Sequence, residues 1–122
     1  MQPRDLKDDA KYKWTNHVKD KMRYYKISPS LVKRIVRHPH RVEEGIAPKT
    51  TAGMQRTPNK KRPQEIWVMY QEISRQPISD NNLSSMIYSP KKIISAWRYP
   101  GVSPVGKEIH IPDDVMAELE NL

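Results

Sequence analysis

The stretch "WTNHVKDKMRYYKISPSLVKRIVRHP", residues 14–39, decides how the rest of the chain is read. Val18, Met22 and Tyr25 fall at i, i+4 and i+7, one face of a helix, and leave Lys19, Lys21, Arg23 and Lys26 mostly for the other faces. Asn16 is the expected N-cap, with Trp14 nearby as a staple. A second helix is signalled by Ser28 as N-cap and Pro29 at the first helical position. Leu31, Val32, Ile35 and Val36 form its apolar stripe, while Lys33, Arg34 and Arg37 face away. Pro39 ends it, because proline cannot donate a backbone hydrogen bond and restricts His38 before it. The spacing thus predicts two short helices, each apolar on one side and basic on the other.

Outward from this pair, Tyr12 and Trp14 alternate with Lys11 and Lys13 as a short strand would. Residues 1–11 read as a polar lead-in. Arg41 to Ile46 is a candidate strand. Gly45 to Gln64 contains no acid, carries three prolines, and reads as either a mobile loop or a twisted hairpin. "EIWVMYQEI", residues 65–73, is rich in β-formers and almost continuously apolar, as a central strand should be. After a polar connection at 74–85, "KKIISAWRY", residues 91–99, is the next strand, stopped by Pro100 and Gly101. Simple alternation puts Ile93, Ser95, Trp97 and Tyr99 on one side of it and Ile94, Ala96 and Arg98 on the other. A terminal helix is expected from about Pro112, with Asp113 and Asp114 in its first turn and Val115, Leu119 and Leu122 on its apolar face.

Two helices, three or four strands and a terminal helix predict an α+β fold: the N-terminal helices packed on a small, mainly antiparallel sheet. The 122 residues fit one domain. The expected division is a lead-in (1–11), an α+β domain (12–100) and a C-terminal extension with an acidic helix (101–122). Phe is absent, so Trp, Tyr, Ile, Val and Met must fill the core, and at least two of the three tryptophans are expected there.

Charge is distributed unevenly. Residues 11–62 hold 15 Lys/Arg and 3 Asp/Glu, whereas the last ten residues hold four acids and no base. A basic half beside an acidic end points to a polyanionic partner, and the bland reading is a solvated, soluble surface. The chain has no cysteine, which excludes disulfides, thiolate zinc sites and a cysteine nucleophile. No apolar run is long enough for a membrane span, and the N-terminus lacks the apolar core of a signal peptide, so a cytoplasmic location is expected. No Gly-rich phosphate loop, G-x-S-x-G elbow or H-E-x-x-H is present. His38 and His40 form an H-x-H pair, but Pro39 between them favours a helix stop over a metal site. No metal or other cofactor is expected.

The helix opening "NHVKDKM", the short helix opening "ISPSLVKRIVRHP" and the strand ending "KIISAWRYPG" together resemble uncharacterised prokaryotic domains related to the RelE/BrnT toxins. Such domains begin with a His on the first helix, a basic residue four positions on and an Ile-Ser start to the second helix. His17, Lys21, Ile27 and Ser28 match that pattern, and the resemblance covers about residues 12–100. It implies a small toxin-type protein that binds RNA, with or without metal-free endoribonuclease activity, and that pairs with an antitoxin protein. It also implies a site built from Arg, Lys, His and Tyr on the sheet, for which His17, Arg56, Lys61, Arg98 and Tyr99 are the matching residues. The long, proline-rich 45–64 segment and the acidic C-terminal helix are departures from the compact toxin core. That helix could cover a site or mediate a homodimer.

Metal-free RNA cleavage needs a base for the 2′-OH, an acid for the leaving oxygen and cations for the phosphorane. His17 has the right unperturbed acidity for either proton role, Arg56 or Arg98 could clamp phosphate, and Tyr99 could act as acid or stack on a base. These four are the catalytic candidates. Lys19, Lys21, Arg23, Lys33, Arg34, Arg37, Lys60, Lys61 and Arg62 are the candidate nucleic-acid contacts. Two alternatives stand beside cleavage. One is a non-catalytic module that binds RNA or DNA, or docks a protein through the acidic helix. The other is a homodimeric domain whose charge serves solubility.

Overall fold

The computed structural model describes residues 6–45, 49–73, 90–103 and 111–120. Within them the chain runs β1 (Tyr12–Trp14), α1 (Asn16–Tyr25), α2 (Pro29–Arg37), β2 (Arg41–Glu44), β3 (Thr50–Arg56), β4 (Gln64–Glu72), β5 (Lys91–Pro100) and α3 (Asp113–Glu120). The fold is α+β, with one mixed five-stranded sheet in the order β1-β5-β4-β3-β2. β1 pairs with β5 in parallel, and the other three pairings are antiparallel. β4 lies at the centre, as its nearly unbroken apolar content predicts. The expected connection at 74–85, Ile46 and Leu122 lie outside the described residues.

Ser28 caps α2 as expected, accepting from the Leu31 N–H at 3.2 Å with Pro29 directly after it. The α1 cap is corrected by one position. Thr15, not Asn16, accepts from the Val18 N–H at 3.0 Å. The reason is tertiary. Thr15 is held in extended conformation by β5, donating its N–H to the Ile93 carbonyl (3.3 Å) and its hydroxyl to the Ile94 carbonyl (2.9 Å). The lead-in is also more tied down than its polarity suggests. Leu6 is buried, the Asp9 carboxylate accepts from the Lys11 and Tyr12 N–H groups, and Asp8 accepts from that of Trp14.

Of the two readings of the 45–64 segment, loop or hairpin, the structure has the hairpin, with β3 as its first strand. The β3 residues Thr50, Ala52, Gly53, Met54 and Gln55 are buried, yet most are small or polar and give little apolar signal. Their smallness has a use: a Cβ on Gly53 would lie 3.6 Å from the Ile35 carbonyl oxygen, so the α2 backbone passes close over this strand. The 45–64 segment is therefore half strand, and β3 and β4 form a hairpin closed by Thr57 N–H to the Gln64 carbonyl at 2.9 Å.

The sheet separates two apolar clusters. Val18 and Met22 of α1 and Val32, Ile35 and Val36 of α2 pack with Ile66, Val68, Tyr70, Ile93 and Ala96. Val115 and Leu119 of α3 pack with Ala52, Met54, Trp67, Met69, Ile94 and Trp97. All three tryptophans are buried, and Trp67 and Trp97 stack at 6.3 Å between centroids. The clusters correct the expected sidedness of β5. Met69 pairs with Ser95 but Tyr70 pairs with Ile93, so Ile94 is an extra residue, a bulge. It sends Ile93 to the Ala96 cluster and Ile94 to the Trp97 cluster. Among the described residues no helix is long and apolar enough to cross a membrane.

Candidate nucleic-acid interface

The β3–β4 turn presents the densest positive charge. Pro58 and Pro63 bracket it, and the Asn59 side-chain oxygen accepts from the Lys61 and Arg62 N–H groups at 3.0 and 3.4 Å, which fixes its shape. Lys60, Lys61 and Arg62 all stand in solvent. Arg56, the last residue of β3, is exposed beside it, and its N–H donates to His40 Nδ1 at 3.0 Å. α2 adds to the same end of the sheet. Arg34 donates through Nε to Gln55 Oε1 at 3.1 Å, and Gln55 in turn donates to the His38 carbonyl at 2.8 Å. Arg34 and Arg37 remain exposed on the outer side of α2. Arg34, Arg37, Arg56, Lys60, Lys61 and Arg62 are thus exposed on α2, the end of β3 and the β3–β4 turn, a basic rim with no carboxylate in the 45–64 segment.

The other candidate cations are more engaged. Lys21 is ion-paired with Asp114 of α3, and its ammonium lies over the rings of Tyr24 and Tyr25. Burial alone would raise the Asp114 carboxyl, but the Lys21 hydrogen bond and charge outweigh it and hold Asp114 below the usual carboxylate value. Arg23 pairs with Asp20 at 3.8 Å, and Lys33 lies 5.3 Å over the Tyr12 ring. Lys19 is half-buried on α1.

The four catalytic candidates do not converge. His17 Nε2 lies 2.9 Å from the Ser95 hydroxyl, and its Nδ1 is 4.0 Å from Glu118 of α3. Serine, imidazole and carboxylate follow the order of a hydrolytic triad. Yet Ser95 is fully buried and 4.0 Å is too long for the orienting hydrogen bond, so this is a clasp joining α1, β5 and α3. Arg98 donates through Nε to the Tyr25 carbonyl at 2.7 Å and through its terminal nitrogens to the Lys26 carbonyl and Gln64 Oε1, both at 3.3 Å. It closes the C-terminal end of α1, where helix carbonyls lack partners and a cation is favoured. Tyr99, its neighbour in the strand, lies on the opposite side and packs against the α3 cluster.

Arg56 and Tyr99 do share a row. Both are register partners of Glu65, which is wholly buried. Glu65 Oε1 accepts from the Ser103 hydroxyl at 2.6 Å and from Trp67 Nε1 at 3.2 Å, while Oε2 faces Arg56 Nε at 3.9 Å. Ser103 also accepts from Arg41 Nη1 at 2.8 Å, and the Arg41 guanidinium lies 5.5 Å over the Trp67 ring and bonds Glu43 at 2.7 Å. Nothing in the sequence singled out Glu65, Ser103 or Arg41 for this network. Glu65 begins an apolar strand, where a carboxylate reads as a solvated flank. Among the described residues, His38 and His40 included, no three His, Asp or Glu side chains gather as metal ligands would. No known protein family matches this chain, and neither a curated protein nor a solved structure is detectably similar to it.

Proposed function

We propose that this protein is a RelE-like, toxin-type RNA-binding protein that grips the phosphate backbone with the basic end of its sheet. The observation that carries the reading is the rim itself: six exposed cations on α2, the end of β3 and the β3–β4 turn, the turn braced by two prolines and an Asn side chain. Such a surface releases counterions on binding and makes affinity fall with salt. Mixed-sequence RNA titrated by fluorescence anisotropy at several salt concentrations is the test. The triple variant K60A/K61A/R62A is expected to bind more weakly and to flatten the log–log salt slope by about 2. An unchanged affinity and slope would remove the rim as the binding surface.

Metal-free cleavage of the bound RNA is the second reading, favoured by the Arg56–Glu65–Tyr99 row next to the basic turn. In this reading Arg56 is the phosphate clamp, Tyr99 the acid that protonates the leaving oxygen, and solvent water takes the 2′-OH proton. His17 and Arg98 have structural partners instead. Product that forms in EDTA and is lost in Arg56→Ala and Tyr99→Phe supports cleavage, and intact RNA with a salt-sensitive shift leaves a binding module.

A further inference from the structure

Among the described residues Tyr24 is the most exposed large apolar side chain, with 75% of its surface in solvent. Its ring is nonetheless braced. It meets the ring of Tyr25 edge-on, at 4.8 Å and 88°, and Tyr25 is itself packed against the core. The Lys21 ammonium lies 5.4 Å from the Tyr24 centroid. Arg23 and Lys26 are exposed close by in the chain, and Asp20, the acid on this turn, is paired with Arg23.

The place of this ring matters. Arg98 ties the Tyr25 and Lys26 carbonyls to the Gln64 side chain, and Gln64 closes the β3–β4 hairpin. The Gly101 N–H, in a turn that needs φ +92°, reaches the Pro63 carbonyl at 2.8 Å. The C-terminal end of α1 and the basic turn therefore sit at the same end of the sheet. An exposed, laterally braced aromatic next to a track of cations is what single-stranded nucleic acid binds. The cations follow the phosphates, and an unpaired base stacks on the ring. A base held in a duplex has both faces covered and cannot use the platform.

We infer that Tyr24 is a stacking platform for an unpaired base, so that the RNA this protein takes is single-stranded. The inference rests on the proposed RNA-binding function. It is tested with an unstructured mixed-sequence RNA oligonucleotide and the same strand annealed to its complement, each titrated with the full chain and with Tyr24→Ala and Tyr24→Phe. The expected result is tighter binding of the single strand, a loss of about tenfold in Tyr24→Ala, and near-parental binding in Tyr24→Phe, since the ring is what stacks. Duplex binding should not change in either variant. Single-strand binding unaffected by Tyr24→Ala, or an equal loss on single strand and duplex, overturns the stacking role while leaving phosphate binding intact. If neither RNA binds even at low salt, the proposed function itself falls, and the platform with it.

Discussion

The face of the sheet carrying Ile66, Val68 and Tyr70 is closed by α1 and α2, whereas the face carrying Trp67 and Trp97 is closed by α3 from the far end of the chain. The first is an apolar core in which Val, Ile and Met from two capped helices pack with sheet residues and with Tyr12, Trp14 and Tyr70. The second stacks two indoles and sets a buried carboxylate, Glu65, at its margin with Ser103, Arg41 and Arg56. An apolar face loses chiefly transfer and packing energy when cut back. A face with a buried charge also depends on every hydrogen bond that charge keeps.

The largest effect should come from emptying the α3 face. Trp97→Ala is expected to cost about 3–5 kcal/mol, and Ile35→Ala on the other face about 2–5 kcal/mol, by urea unfolding. A smaller loss for Trp97 than for Ile35 would mean that α3 closes over the gap, and the α3 face would then be the more adaptable one. Next comes the buried network. Ser103→Ala should cost about 1.5–3 kcal/mol, because it removes a hydrogen bond to a buried carboxylate and one of the bonds that Arg41 makes. The surface hydroxyl control, Ser28→Ala at the α2 cap, should cost about 1 kcal/mol. Equal losses in the two serine variants would erase the distinction between the faces.

The smallest effect concerns the Lys21–Asp114 pair. Asp114 titrates below its ordinary value in the folded chain, so the stability it contributes is present above the unfolded carboxylate range. It is lost as pH falls through the folded value. Asp114→Asn should therefore flatten the acid limb of the stability–pH curve while costing under about 1 kcal/mol at neutral pH, since Asp114 is half exposed. An unchanged acid limb would show that the Lys21–Asp114 pair contributes nothing to holding α3.

The rim was legible residue by residue, because Arg34 and Arg37 fall off the apolar stripe of the second helix and Lys60, Lys61 and Arg62 form a charge run in an acid-free segment. Their gathering at one end of the sheet was not, since it depends on Gln55 linking α2 to β3. The catalytic candidates fared differently. His17 and Arg98 have the right chemistry in the sequence, but their partners are Ser95, 78 residues from His17, and the Tyr25 carbonyl, 73 residues from Arg98. Periodicity put Tyr25, not Tyr24, on the apolar face of α1, and Tyr25 indeed packs against the core while Tyr24 stands in solvent; the place of Tyr24 at the same end of the sheet as the basic turn depends on Arg98 and Gln64, far along the chain.

What the sequence by itself determined is local. The α2 cap at Ser28 and Pro29, the apolar stripes of α1 and α2, the central strand β4 and the acidic start of α3 all follow from backbone preferences and burial periodicity over a few residues. What only the tertiary structure decided involves contacts across the chain. These are the move of the α1 cap to Thr15, the small-residue strand β3 beneath α2, the bulge at Ile94 that divides neighbouring isoleucines between two cores, and the burial of Glu65. The physical reason is the same in each case. A cap, a bulge or a buried charge is stabilised by a partner that arrives from elsewhere in the fold, and the local sequence carries no trace of where that partner will be.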